Sequence, residues 1–393
     1  MRTCFFDRLP LRRHTRSIKW DARPLGTPEE VIPLWVADMD FSAPEAVIRA
    51  LKDRADHGVF GYTLSDDEVE TAVLEWLFEQ YAWDIQREWV MLFPGVVCAL
   101  YMTVTALTKP GDAVIIMPPV YYPFTEAIEK NGRRVVVNPL INLDGDYQID
   151  WKGLEKIVES GVSSLLIFCS PHNPVGRVWK PDELSRLAEL MKKFPELHVH
   201  SDEVHSDLIM PGYFHTPLAK MLDESTLSRL ITSRSVSKTF NLAGLKTATL
   251  IVSDPIIRSK LKAQLYLTGA GLPNPFGLTA LVAAYRHGRT WLSELIAYLQ
   301  DNYCFLLDYL TEHLPNWRPV PLQGSYLAWI HIDGLKESVA SLAERLRTEA
   351  GVWLEAGTTY GPQGEGYLRL NLGTSSALLA EALDRIRTFQ NMQ

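Results

Sequence analysis

From about residue 85, short apolar and β-branched runs alternate with amphipathic stretches, and this alternation restricts the chain to repeated βα units around a mostly parallel sheet. The runs are WVMLF (89–93), AVIIM (113–117), RVVVN (134–138), SLLIFC (164–169), LHVHS (197–201), RLITS (229–233) and ATLIV (248–252). Between them lie helical segments such as 181–194, where Leu184, Leu187, Ala188 and Met191 recur at three- and four-residue intervals. Ser65 and Glu68 have the spacing of a capping box and predict a helix over about 66–82. Together these signals predict an α/β large domain with a seven-stranded, mostly parallel sheet flanked by helices.

Beyond about residue 285 the pattern changes to long helices, two extended segments, GSYLAWIHI and GYLRLNL, and a final helix over about 375–390. This predicts a smaller α+β C-terminal domain. The expected organisation is an N-terminal arm over 1–45, a large domain over 46–285 and a small domain over 286–393. The arm is rich in Pro and Trp and is expected to lie against the rest of the chain. No internal repeat or low-complexity tract interrupts this plan.

Hydrophobic residues make up 47% and charged residues 22% of the 393 positions, the mixture of a globular protein. A formal charge of −8 repels nucleic acid and acidic membrane surfaces, which directs attention to small-molecule chemistry. Cys4, Cys98, Cys169 and Cys304 are far apart and include no CxxC pair. With no signal-peptide or membrane-span pattern, they predict a reducing, cytoplasmic compartment.

In an open parallel sheet, ligands bind beyond the carboxyl ends of the strands, where several loops converge. The candidate strands deliver functional groups to that edge: Tyr121 and Tyr122 after 113–117, Asn173 after 164–169, Asp202 and His205 after 197–201, and Lys238 after 229–233. After 89–93, Gly95 allows close approach, and Val96 and Val97 supply free N–H groups at a helix start, an anion site. Each feature alone has a plainer explanation: a solvated lysine, a capping aspartate, a turn asparagine, packed tyrosines. Their joint order suggests a cradle for pyridoxal 5'-phosphate. Lys238 would form an imine with the cofactor aldehyde, and a desolvated site would favour the neutral amine this requires. Asp202 would pair with the ring nitrogen. Ser235, Ser237 and Lys246 would join the Val96 and Val97 amides on the phosphate, Tyr121 would stack on the ring and Asn173 would donate to the ring oxygen. Arg369 in GYLRLNL has the planar fork that suits a substrate carboxylate.

With these residues in place, the sequence resembles fold-type I pyridoxal-phosphate enzymes of the aminotransferase class I/II superfamily across nearly its whole length. More narrowly it is similar to cystathionine β-lyases and related C–S lyases, the MalY/PatB group. The phrases that carry the resemblance are KWD and PLWVADMDF in the arm, HGVFGYT, PGVV, PPVYYPF, SPHNPVGRVW, SDEVHSDL and SKTFNLAGLKTA. It implies α,β-elimination of S-substituted L-cysteines to a thiol, pyruvate and ammonia, with Lys238 as base. It also implies a homodimer with shared active sites, in which Tyr62 reaches the neighbouring cofactor phosphate. Val36, Ala37, Tyr122, Asn173 and Arg369 fall on the substrate side, and His205 on the cofactor side. His205 stands where many aminotransferases carry a tyrosine, and with the tandem Tyr121 and Tyr122 it favours the lyase branch. Lys246 replaces an arginine common among aminotransferases, and GTSS after Arg369 matches the group pattern poorly.

An aminotransferase of amino acids on the same scaffold is the alternative, because Lys238, Asp202 and Arg369 serve either reaction. A metal-dependent hydrolase is suggested only by HVHSDEVH, in which His198 and His200 share a strand face near Asp202 and His205. No further His/Cys cluster completes that pattern, so no metal is expected. A regulatory role exercised through a partner protein is compatible with the same sequence.

Overall fold

The computed structural model describes residues 5–392; Cys4 lies outside the described residues. All seven expected runs are strands of one sheet: β1 (Val90–Phe93), β2 (Ala113–Ile116), β3 (Arg134–Val137), β4 (Ser163–Cys169), β5 (His198–Asp202), β6 (Leu230–Arg234) and β7 (Ala248–Ile251). Their order is β1-β7-β6-β5-β4-β2-β3, with β7 antiparallel to both neighbours and the others mutually parallel. The two faces of the sheet bury separate cores. Val114, Ile116, Leu165 and Ile167 enter one cluster, whereas the alternate residues Ile115, Leu166 and Phe168 enter the other. A sheet covered on both faces is what near-continuous apolar strands require.

Helix α1 (Asp67–Tyr81) starts from Asp66 and not from the expected Ser65 and Glu68 box. Asp66 immediately precedes the first helical residue, has extended backbone angles and accepts from the Val69 N–H at 3.2 Å. Ser65 is one residue too early for this bond, and Glu68 pairs instead with Arg286. Helix α2 (Val96–Leu107) follows β1 directly, and α3 (Pro181–Lys193) occupies the expected segment with Pro181 in its first turn. The Glu183 carboxylate accepts from the Lys180 N–H at 2.8 Å, which satisfies a donor at the helix start.

The smaller C-terminal domain holds an antiparallel sheet of β8 (Trp317–Pro319), β9 (Leu327–Ile332), β10 (Glu355–Ala356) and β11 (Tyr367–Asn371), in the order β8-β9-β11-β10. Helix α4 (Arg289–His313) precedes it and α5 (Ser376–Asn391) ends it.

The N-terminal segment is bound to both domains. Ile32 and Pro33 pair in parallel with Val352 and Trp353, and Trp35 stacks on Trp353 with ring centroids 4.3 Å apart. Asn371 donates to the carbonyls of Val36 and Asp38, each at 2.7 Å. From the large domain, Asn241 donates to the carbonyls of Met39 and Phe41 and accepts from the Met39 N–H, all at 2.9 Å. The KWD and ADMDF phrases meet in a buried ion cluster. Fully buried Asp40 accepts from Lys19 Nζ at 3.0 Å, Trp20 Nε1 at 2.8 Å and Arg12 Nη1 at 3.2 Å.

Removing one partner of a buried ion pair leaves the other charge desolvated and uncompensated. Asp40→Ala should therefore destabilise the protein by about 3–5 kcal/mol. Arg318→Ala, which breaks partly exposed pairs with Asp144 and Asp333, should cost about 1 kcal/mol or less. Urea unfolding followed by tryptophan fluorescence compares the two.

Candidate active site

The carboxyl edge of the large sheet is brought together by parallel strand ends and by the reversed direction of β7. Asp202 ends β5, Ser235 follows β6, and Lys246 and Thr247 lead into β7 on the same edge. Gly95 adopts φ of 101°, a conformation that favours glycine, and turns the chain from β1 into α2. The first N–H groups of α2 have no acceptor within the helix and open onto the edge. A cavity of about 460 Å3 results. Of the sequence candidates, its walls contain Ala37, Gly95, Val96, Val97, Tyr121, Asn173, Asp202, His205, Ser235, Ser237, Lys238 and Lys246.

Lys238 sits in a four-residue helix, Val236–Thr239, capped by the Ser235 side chain. Its amine donates to the Ala37 carbonyl at 2.6 Å, so the N-terminal segment forms part of the lysine's surroundings. Burial pulls the Lys238 pKa down to about 8; Arg369 and Lys246 act in the same direction, while Asp38 and Asp202 oppose them. Asp202 is 4% exposed, and burial raises its pKa to about 6. Its Oδ1 accepts from the Val204 N–H at 3.2 Å, and among the described residues no basic side chain lies within 4.0 Å. His205, also buried, has its pKa lowered to about 3, chiefly by burial and then by Lys238 and Arg369, so it is neutral.

Arg369 projects from β11 and is 3% exposed. It donates to Asn173 Oδ1 at 3.3 Å and to the Trp35 carbonyl at 2.6 Å, and it lies over the Tyr360 ring at 4.8 Å. Among the described residues its Nε has no hydrogen-bond partner and no carboxylate lies within 4.0 Å. A buried guanidinium in this state has unused capacity for an anion.

Four candidates lie outside the cavity wall: Arg369, which reaches it through Asn173, and Tyr122, Val36 and Tyr62. Tyr122 is 41% exposed and packs against Tyr121, with ring centroids 5.5 Å apart. Val36 presents its carbonyl to Asn371. Tyr62 is 97% exposed in the segment before α1, so it has no place in the cavity of its own chain. Ser235 reaches the wall, but its Oγ donates to the Thr247 carbonyl at 2.6 Å and accepts from the Ser237 N–H at 3.0 Å, so the hydroxyl serves the turn. Within HVHSDEVH, His198 Nδ1 faces the Glu196 carbonyl and His200 Nε2 meets Ser233 Oγ at 3.1 Å. Among the described residues no three His, Cys, Asp or Glu side chains are grouped to hold a metal ion.

The structure adds residues that the sequence reading did not single out. The Tyr326 hydroxyl donates at 3.0 Å to the same Ala37 carbonyl that receives Lys238. Asp207 accepts from Thr239 Oγ1 at 2.8 Å, Trp76 Nε1 at 3.1 Å and Arg234 Nη2 at 3.1 Å, which fixes the residue next to Lys238. Glu203, adjacent to Asp202, is buried with Arg234 and His215. Asp207 and Glu203 lie within the quoted SDEVHSDL, so a charged residue flanking an expected strand end was the available signal.

Comparison with known proteins agrees with this geometry. Residues 29–386 match the family described as aminotransferase class I and II. The chain is 43% identical over 384 residues to cystathionine beta-lyase PatB of Bacillus subtilis, covering 97% of this chain and 98% of PatB. It is 32% identical to protein MalY of Escherichia coli, covering 96% of each. Among solved structures, cystalysin from Treponema denticola, which contains a pyridoxal 5'-phosphate cofactor, superposes with a TM-score of 0.95 at 36% identity over 99% of both chains. The chain therefore belongs to the aminotransferase class I and II family, within its PatB and MalY group.

Proposed function

We propose that the protein is a pyridoxal-phosphate-dependent C–S β-lyase that cleaves S-substituted L-cysteines of the cystathionine type. The arrangement of Lys238, Asp202 and Arg369 supports the pyridoxal-phosphate chemistry, with an amine biased toward neutrality, a buried carboxylate and a guanidinium without a paired carboxylate among the described residues. The observation that carries the lyase reading over transamination is the 43% identity over 384 residues to cystathionine beta-lyase PatB. The residues fit the cofactor. Asp202 would hold the proton on the ring nitrogen, and Tyr121 would cover the ring face. Asn173, whose Oδ1 is engaged by Arg369, has its amide group free to donate to the ring oxygen. The amides of Val96 and Val97, with Ser237 and Lys246, would hold the phosphate beside Gly95.

When bound, the cofactor supplies an aldehyde for amine exchange and an electron-accepting ring. Arg369 would fork the substrate carboxylate and thereby orient the Cα–H bond toward Lys238. The neutral Lys238 amine takes the Cα proton, and the Cβ–S bond then breaks with the electron pair leaving on sulfur as thiolate. Addition of water to the remaining three-carbon fragment yields pyruvate and ammonia. Tyr122, packed against Tyr121, would orient groups near Cα; burial raises its pKa, so it keeps its proton near neutrality.

We further propose a homodimer in the cytoplasm. The segment with Val59, Phe60, Tyr62 and Leu64 exposes a series of large apolar side chains, and a second copy docked there would bring Tyr62 toward the neighbouring phosphate. Cys98, Cys169 and Cys304 are free thiols, in keeping with a reducing compartment.

Incubation with L-cystathionine in the absence of a keto acid should release pyruvate and thiol in equal amounts. Lys238→Ala should lower the rate by at least about 10²-fold, since it removes the base. A strict requirement for an acceptor keto acid would instead identify an aminotransferase. The Lys238 pKa adds a pH test. Between about 8 and 10.5 the folded chain binds fewer protons at Lys238 than the unfolded chain, so the stability cost of this buried cation is full below about 8 and is relieved as pH rises through that window. In cofactor-free protein, acylation of Lys238 read by peptide mapping should rise about tenfold per pH unit and level off near 8, whereas an ordinary lysine continues to rise toward about 10.4.

A further inference from the structure

Glu355 is a carboxylate beside the site that the mechanism above leaves unused. It lies on β10 directly opposite Arg369 of β11, and directly opposed residues of an antiparallel pair project from the same face of the sheet as near neighbours. Arg369 nevertheless directs its hydrogen bonds toward Asn173 and Trp35, and no basic side chain of the described residues comes within 4.0 Å of Glu355. Among the described residues, the only side-chain hydrogen bond to Glu355 is from Thr359 Oγ1, at 3.1 Å. Glu355 is half-buried, and burial raises its pKa against the opposing influence of Arg369 and the Thr359 hydroxyl.

The surroundings connect this carboxylate to the cavity. Tyr121 lines the cavity and leans on Tyr122; Tyr122 meets Tyr360 with ring centroids 6.4 Å apart; and Tyr360 lies under Arg369, which returns to Asn173 in the wall. Burial raises the pKa of both Tyr122 and Tyr360, and Glu355 adds to each shift, so its negative charge is felt at these two rings beside Arg369. With the substrate carboxylate on Arg369 and its amine toward Lys238, the group beyond sulfur is the part of the substrate left to meet this acid.

We propose that Glu355 is a specificity-determining residue that receives an ammonium carried on the sulfur substituent, so that S-substituted L-cysteines with a cationic arm are the preferred substrates. This rests on the lyase reading and narrows its substrate class. Were Glu355 only a counter-charge for Arg369, its loss would affect every substrate alike, because all of them carry the α-carboxylate.

The test compares S-(2-aminoethyl)-L-cysteine with its uncharged near-isostere S-propyl-L-cysteine, using pyruvate release by the holoenzyme. The unaltered enzyme should favour the ammonium substrate in kcat/KM by about tenfold or more, and added salt should reduce that ratio because the pair is partly exposed. Glu355→Gln should lower the ratio by about 10- to 100-fold, the effect of losing one charge-assisted contact, and Glu355→Asp should retain part of it. An unaltered enzyme without preference, or a ratio unchanged in Glu355→Gln, would overturn the assignment while leaving the lyase reading intact. Absence of pyruvate from both substrates would remove the lyase reading, and this assignment with it.

Discussion

A lysine amine withdrawn from water loses hydration that its charged form needs more than its neutral form, and the Lys238 site depends on that difference. Burial is the largest influence on this amine, with Arg369 and Lys246 reinforcing it and two acidic groups opposing it. The same low-polarity setting raises the pKa of Asp202 to about 6, so both groups stand closer to neutrality than they would in water. A cationic ring nitrogen beside Asp202 would reverse that shift, because an opposite charge favours the ionised carboxylate. The site is thus electrostatically complementary to a ligand that carries a cation at one end, an anion near α2 and an electrophile between them.

The fold creates this setting through strand direction and through the N-terminal segment. Parallel strands deliver Asp202 and the Lys238 turn to one edge, and antiparallel β7 delivers Lys246 there from its beginning. The N-terminal segment then closes the lysine's side of the cavity. Its Ala37 carbonyl receives both Lys238 and Tyr326, and Asn371 and Asn241 hold it from the two domains. The buried Asp40 cluster fixes the same segment further along. A change in the relation of the two domains would therefore act on the Lys238 amine through one backbone carbonyl.

Much of this was legible in the sequence, for physical reasons that also explain the failures. The seven strands were readable because buried parallel strands need uninterrupted apolar, β-branched runs. The groups at their ends were readable because parallel topology sends those ends to one place. The start of α1 was misplaced because Ser65 and Asp66 are both good caps, and backbone angles decide between neighbours. Ser235 reaches the cavity wall, and its hydroxyl is engaged in the turn that presents Lys238, a local bond that residue order alone did not show. Tyr326 and Glu355 gave no local signal for their positions. Their placement depends on the register of β10 against β11 and on packing between segments remote in sequence.

The most direct measurement of the central claim is reduction of the holoenzyme with borohydride, followed by proteolysis and mass spectrometry of its lysine peptides. A single phosphopyridoxyl adduct is expected, on the peptide containing Lys238. An adduct on Lys246 or another lysine, with the Lys238 peptide unmodified, would contradict it.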